Sequence, residues 1–497
     1  MVTSVSAYRI VIGTQYFIAV GSEASVMTDP FVVVGGDAAG MSAASKFRRE
    51  APDREVVVFE KGEWVSYGAC GLPYYVKGEV ERLDDLVSVT PGEFVEERGI
   101  DLRTNHEVTG VDRERQTVTV TGPEGEFEQP YSDLLVATGA HAVEPPIDGF
   151  DLDGVFTLHS MDVAAAIRRY LGADAPASDL SAIGYGSIAS EYAGATGPGA
   201  VGIVGGGYVG IEMAEAFAAH GLDVHLFEML PHTLQPFGAE AAATVEDHLV
   251  EEGVTLHLDT PVEAFRGEDR VEAVAAGDED VPVDLALVGA GVAPNTDLAE
   301  RAGIDLGPTG AIATDPYGRT NDEHVFAAGD CAEATSAVTG DPDHVPLALT
   351  ANRAGRAIGQ TVAGDPTPVG DIVGTAAVKA FDLEVARTGV LDPDVARDAG
   401  FDPVSVTVTT RSRAHYYPGG EQLQVTMVGD RETGRVLGAS LVGREGAVRR
   451  VDTVAAALHA EMTARQLSYL DLAYAPPFGP VWDPVLTAAK VLDGKLD

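Results

Sequence analysis

At 497 residues the chain exceeds what one hydrophobic core supports, and 77 acidic against 33 basic residues leave it at −44, which excludes a nucleic-acid binder because phosphate contacts need clustered Lys and Arg. Two cysteines exclude a disulfide scaffold and point to a reducing, cytoplasmic setting, and no apolar run reaches the roughly 18 residues of a membrane span. The acids are dispersed rather than gathered in a tail, as suits a surface kept soluble where the Debye length shrinks to about 3 Å at 1 M salt, so a halophilic protein is expected.

Residues 1–30 read as an N-terminal extension outside the fold. Their apolar stretch, Tyr8 to Val20, is too short for a span and holds only Arg9 where a signal peptide wants a basic lead. Phe31–Val34 is a buried-strand run. It is followed by Gly35-Gly36-Asp37-Ala38-Ala39-Gly40, an Ala-rich helical stretch to Glu50, and a second strand, Val56–Phe59, ending on Glu60. This order is a dinucleotide fingerprint. Gly35 allows the tight turn, Gly40 lets helix and strand pack closely, the helix N-terminus offers N–H groups to a pyrophosphate, and Glu60 reaches ribose hydroxyls. Asp37 stands where the middle glycine belongs, so either its carboxylate points to solvent or binding is weakened.

Ser66-Tyr-Gly-Ala-Cys70-Gly-Leu-Pro-Tyr74 sets one cysteine among turn formers, the setting of a reactive rather than a core thiol. Residues 101–136 alternate as a small antiparallel sheet would, and Leu134–Val136 feeds a turn at Thr138 and Gly139. Residues 172–200, rich in Ala, Gly and Ser, read as an insertion. The fingerprint then recurs: Val201–Val204, the glycines Gly205, Gly207 and Gly210, a helix to His220, and a strand ending on Glu228. Glu212 on that helix either approaches a nicotinamide or is simply solvated. Thr320 to Asp330 is a strand ending in Gly-Asp, which places Asp330 at a strand's carboxyl end, where α/β folds bind ligands; Cys331 beside it reads as a small packed hydrophobe. From about residue 366 the texture turns β-rich and then helical. The twelve histidines show no metal spacing, and no metal is expected.

Together these features resemble the FAD- and pyridine-nucleotide-dependent disulfide oxidoreductases. The resemblance implies an α/β fold with two Rossmann-like dinucleotide-binding domains plus a C-terminal α+β dimerisation domain. FAD would occupy 31–150 and 282–365, NAD(P)H 151–281, and the dimerisation domain 366–497. It places Gly35, Gly36, Gly40, Glu60, Thr138, Gly139 and Asp330 on FAD, and Gly205, Gly207, Gly210, Glu228 and Glu212 on the nicotinamide cofactor. Glu228 would accept bonds from a free 2′-hydroxyl, favouring NADH over NADPH.

The lone Cys70 resembles the coenzyme A-disulfide reductases, as do His415-Tyr416-Tyr417-Pro418 and Leu472-Ala-Tyr474-Ala-Pro-Pro-Phe478. By that likeness a homodimer reduces a small-molecule disulfide. Cys70 forms a mixed disulfide, Tyr474 and Tyr416 (or Tyr417) arrive from the other subunit, and Lys46, Arg49 and Ser66 contact coenzyme A. The alternatives are an NADH oxidase or peroxidase with a Cys70 sulfenic acid, a persulfide or polysulfide reductase, and a non-enzymatic redox sensor. The chain as read ends without a fused sulfur-carrying domain, so nothing in the sequence favours the persulfide reading.

Overall fold

A computed structural model describes residues 29–172, 197–277 and 279–496. The expected extension at 1–30 and the expected insertion at 172–200 therefore fall almost wholly outside the described residues.

The apolar run Phe31–Val34 forms the centre of a five-stranded parallel sheet and is fully covered, as a strand with helices on both faces must be. Its order is Val325–Ala327, Asp133–Val136, Phe31–Val34, Val56–Phe59, Asp101–Arg103. A second parallel sheet repeats the plan around Ala200–Val204, in the order Val155–Thr157, Leu285–Val288, Ala200–Val204, Asp223–Phe227, Thr255–His257. Each unit also carries a three-stranded antiparallel sheet. The first, over Glu107–Pro130, lies where the alternation predicts it. The second, Val262–Arg266 with Ala273–Ala276 and Glu279–Pro282, is not foreseen from the sequence, because its strands are short and interrupted by glycine and acids.

Because Leu285–Val288 pairs with Ala200–Val204, the seam expected at 281/282 is corrected to beyond residue 288. The chain crosses between units on two short strands, Ala140–Ala142 and Val292–Pro294, which pair antiparallel. The outermost strand of the first sheet, Val325–Ala327, thus arrives only after the whole second unit. Residues 376–443 build a five-stranded antiparallel sheet. Its inner strand Val436–Gly443 is buried throughout; helix Ala447–His459 packs on it, and helix Pro484–Leu496 covers the neighbouring strands Pro403–Arg411 and Gln422–Asp430.

Two helices of the first unit pack unusually close. Ala38–Glu50 meets Ala348–Val362 where a Cβ on Gly355 would lie 2.0 Å from the Ala39 carbonyl oxygen, and one on Gly359 2.3 Å from that of Ala43. Only glycine permits that backbone-to-backbone approach.

Candidate active site

The two glycine turns are built alike, down to single hydrogen bonds. Gly35 has φ +112° and Gly205 φ +104°, a region L side chains avoid. A Cβ on Gly40 or Gly210 would strike the carbonyl oxygen of Gly35 or Gly205 at 1.9 and 2.0 Å. Glu60 accepts from Gly36 N at 2.8 Å and Gly62 N at 2.7 Å, and Glu228 from Gly206 N at 2.7 Å and Leu230 N at 2.9 Å. Both acids therefore stand at the mouth of their turn with fixed carboxylates. The space beside Gly207 is open, with no atom within 4 Å of an added Cβ.

Asp37 occupies the corresponding position of the first turn, yet it neither points to solvent nor fills the turn. Its Oδ1 accepts from Tyr67 N at 3.2 Å, and Gly36 O accepts from Ser66 N at 3.0 Å. These two bonds stitch the cysteine loop onto the glycine turn. Burial, reinforced by Glu60 and Asp330 against the bond from Tyr67, lifts the Asp37 carboxyl to about 6. Asp330 accepts no side-chain hydrogen bond among the described residues, and burial raises its carboxyl too. Carboxylates gathered around one turn, one of them unpartnered, suit a ligand rich in hydroxyl donors, which the ribose and ribityl groups of FAD are. Thr138 and Gly139 are tied to the crossing strand: Thr138 Oγ1 donates to Asn295 O at 2.7 Å, and Asn295 Nδ2 to Thr138 O at 2.8 Å. Cys331 is fully buried beside Val136 and Ala328.

Cys70 sits in the turn Ala69–Gly71 that opens the helix Leu72–Lys77, and it is exposed. A depressed thiol pKa is expected of a nucleophilic cysteine; the surroundings of Cys70 act the other way. Desolvation, then Glu212 and Asp330, push the Cys70 thiol up. Glu212, on helix Tyr208–Ala219, accepts from Tyr74 Oη at 2.8 Å, and burial lifts its carboxyl to about 7. One turn along that helix, the buried Glu215 binds Lys77, Lys379 and the Phe381 N–H. A single carboxylate thus joins the cysteine helix, the second unit and the C-terminal sheet. Nothing local in the sequence marks that role.

Beside the cysteine loop a groove of about 390 Å³ runs between Ala38–Glu50 and Ala348–Val362. Ser66 and Arg49 line it, as do Arg98, Arg353 and Arg356, which the sequence reading missed. In a chain of 77 acids, none of these four arginines pairs with a carboxylate among the described residues. The i, i+3 spacing of Arg353 and Arg356 with Leu349 and Asn352 was the available signal. Lys46 is placed otherwise than expected: it is buried, bound to Glu50, and absent from the groove lining. Tyr416 and Tyr474 come together in the C-terminal domain, hydroxyl to hydroxyl at 2.8 Å, both exposed. Tyr417 is not part of that pair; its ring faces Arg413.

The family follows from these parts. Residues 29–355 match the pyridine nucleotide-disulphide oxidoreductase model, and residues 375–484 match the dimerisation domain of the same group. The chain belongs to the pyridine nucleotide-disulphide oxidoreductase family, whose members use FAD and NAD(P)H. It is 38% identical over 467 residues to an NAD(P)H coenzyme A polysulfide/persulfide reductase of Pyrococcus horikoshii, covering 94% of this chain and 99% of that one. A coenzyme A disulfide reductase of Staphylococcus aureus is 30% identical over 450 residues, 90% of this chain and 96% of that one. Among solved structures, a NAD-dependent persulfide reductase from A. fulgidus superposes with a TM-score of 0.86 at 37% identity, covering 94% of this chain and 83% of that one. Among the described residues no helix is long and apolar enough to cross a membrane.

Proposed function

We propose that the protein is a homodimeric, NADH-dependent reductase of sulfur carried on coenzyme A, as persulfide or polysulfide, with Cys70 as nucleophile. The observation that carries this reading is the groove of four carboxylate-free arginines opening at Ser66, since a phosphate-rich carrier needs such cations. The curated Pyrococcus relative and the A. fulgidus structure, both named for persulfide chemistry, support it over disulfide reduction. Coenzyme A disulfide remains the second reading, supported by the tyrosine pair and the Staphylococcus relative.

Both substrates pass through one intermediate. The Cys70 thiolate attacks coenzyme A's own sulfur, the inner one of the persulfide. The sulfur–sulfur bond breaks, hydrosulfide or a coenzyme A thiolate leaves, and a Cys70–coenzyme A mixed disulfide forms. FAD, when bound, supplies the two electrons drawn from NADH that cleave this bond. The chain's own residues do the rest. Arg49, Arg98, Arg353 and Arg356 hold the phosphates, Ser66 borders the reacting sulfur, and the hydroxyl pair of Tyr474 and Tyr416 of the partner subunit hands a proton to the leaving thiolate. Tyr416 holds the Tyr474 phenol above its ordinary pKa, so it stays protonated and able to donate. Glu60 and Asp330 would hold FAD, and Glu228 the NADH ribose.

Steady-state rates with coenzyme A persulfide, coenzyme A disulfide, oxygen and peroxide test the reading. The persulfide is expected to give the highest kcat/KM, and NADH to exceed NADPH. Arg353→Ala and Arg356→Ala should each raise KM for the coenzyme A substrate about tenfold with little change in kcat. Cys70→Ser should retain flavin and lose turnover. Faster consumption of oxygen than of any coenzyme A substrate would overturn the proposal; faster reduction of the disulfide would select the second reading.

A further inference from the structure

Away from the groove, one buried side chain lacks a partner that its chemistry demands. His248, near the C-terminal end of helix Ala239–Glu251, is 4% exposed, and its Nε2 makes no hydrogen bond among the described residues. A buried polar atom left so costs free energy and calls for an explanation. Two carboxylates flank it: Asp382 Oδ1 at 2.9 Å, outside hydrogen-bonding alignment, and Glu252 Oε1 at 3.8 Å. All three ligand atoms lie within 4.8 Å of one another.

We infer that His248, Glu252 and Asp382 form a site for a divalent transition-metal ion, with zinc the best match, clamping the second unit to the C-terminal domain. Imidazole with two carboxylates is a borderline donor set that suits zinc. With metal–ligand bonds of about 2.0–2.2 Å, neighbouring ligand atoms stand about 3 Å apart, and an adjacent oxygen falls off the axis of the nitrogen lone pair. Asp382 Oδ1 lies that way. The surroundings also fit. Glu251 Oε2 lies 3.6 Å from Nδ1, a small side-chain rotation from the hydrogen bond by which a carboxylate orients a ligating imidazole. Arg444 Nε holds Asp382 Oδ2 at 2.8 Å, leaving Oδ1 for the ion. Glu252 and Asp382 are partly exposed, so modest side-chain rotation closes the set and water completes it. The sequence hides this site because His248 and Glu252 share a helix end while Asp382 comes from the turn between strands Ala376–Ala380 and Leu383–Gly389.

The test is calorimetric titration of zinc into chelator-treated, flavin-loaded dimer carrying Cys70→Ser, which removes the competing thiol. One zinc ion per chain with micromolar affinity is expected, together with a higher Tm. His248→Ala and Glu252→Gln should each weaken binding about tenfold or more and abolish the Tm rise, with flavin absorbance unchanged. The site is overturned if zinc fails to bind at millimolar concentration, or if either variant binds as the parent does. Glu252 is exposed enough for its variant to fold normally, so loss of structure cannot obscure the result.

Discussion

The proposed nucleophile starts from an adverse electrostatic position. Cys70 faces Glu212 and Asp330, and the chain itself raises its thiol pKa. Glu212 matters most within the physiological range because its carboxyl titrates at about 7. As pH climbs through that value a negative charge develops beside Cys70 and resists thiolate formation. The same shift has a stability sign. An unfolded glutamate titrates near 4.5, so the native state binds a proton that the unfolded state has already lost. Stability falls as pH rises from 4.5 through about 7 and then levels off. Glu212→Gln should therefore flatten the fall in Tm between about pH 5 and pH 8, and alkylation of Cys70 by iodoacetamide at the upper pH should speed up severalfold. Equal alkylation rates in variant and parent would show that Glu212 does not govern the thiol.

At the scale of elements, the pair of helices Ala38–Glu50 and Ala348–Val362 does two jobs. Its inner faces touch backbone to backbone at Gly355 and Gly359, and its outer faces carry Arg49, Arg353 and Arg356. Gly355→Ala forces these helices apart, at a cost of about 1–3 kcal/mol by comparison with other overpacked cores, measurable by urea denaturation. It should also raise KM for the coenzyme A substrate, because the arginines move with their helix. The glycine turns and both terminal acids were readable in the sequence because each fingerprint is complete within about thirty residues and obeys local backbone geometry. Arg98, Arg353 and Arg356 were not, since the groove joins segments far apart in the chain. The raised Cys70 thiol was missed for the same reason: Glu212 and Asp330 approach it only through the fold. Asp37 was legible as a departure, but its bond to Tyr67 was not.

For the whole molecule, two features bear on solution behaviour. Tyr469 and Phe478 are each 82% exposed, and Trp482 is 56% exposed. Large apolar side chains this exposed suit an interface, and all three fall within the segment matching the dimerisation domain. Sedimentation should give a dimer, and Trp482→Glu should shift it toward monomer. The charge of −44 repels itself in dilute buffer, so Tm should climb by several degrees between low salt and about 2 M KCl as screening shortens the Debye length. A flat or falling Tm would remove the case for a salt-adapted surface.

The late arrival of Val325–Ala327 dictates an order of birth. A ribosome releases the central strand of the first sheet early, yet the free edge of Asp133–Val136 waits for a strand almost two hundred residues downstream, and Ala38–Glu50 waits for a helix still later. At about 5–20 residues per second that interval lasts tens of seconds at the slow end. The second unit, whose strands Val155–Thr157 to Leu285–Val288 are contiguous, has everything it needs sooner. The nascent second unit can thus complete its sheet before the first, and the arginine groove takes shape only when Ala348–Val362 has emerged.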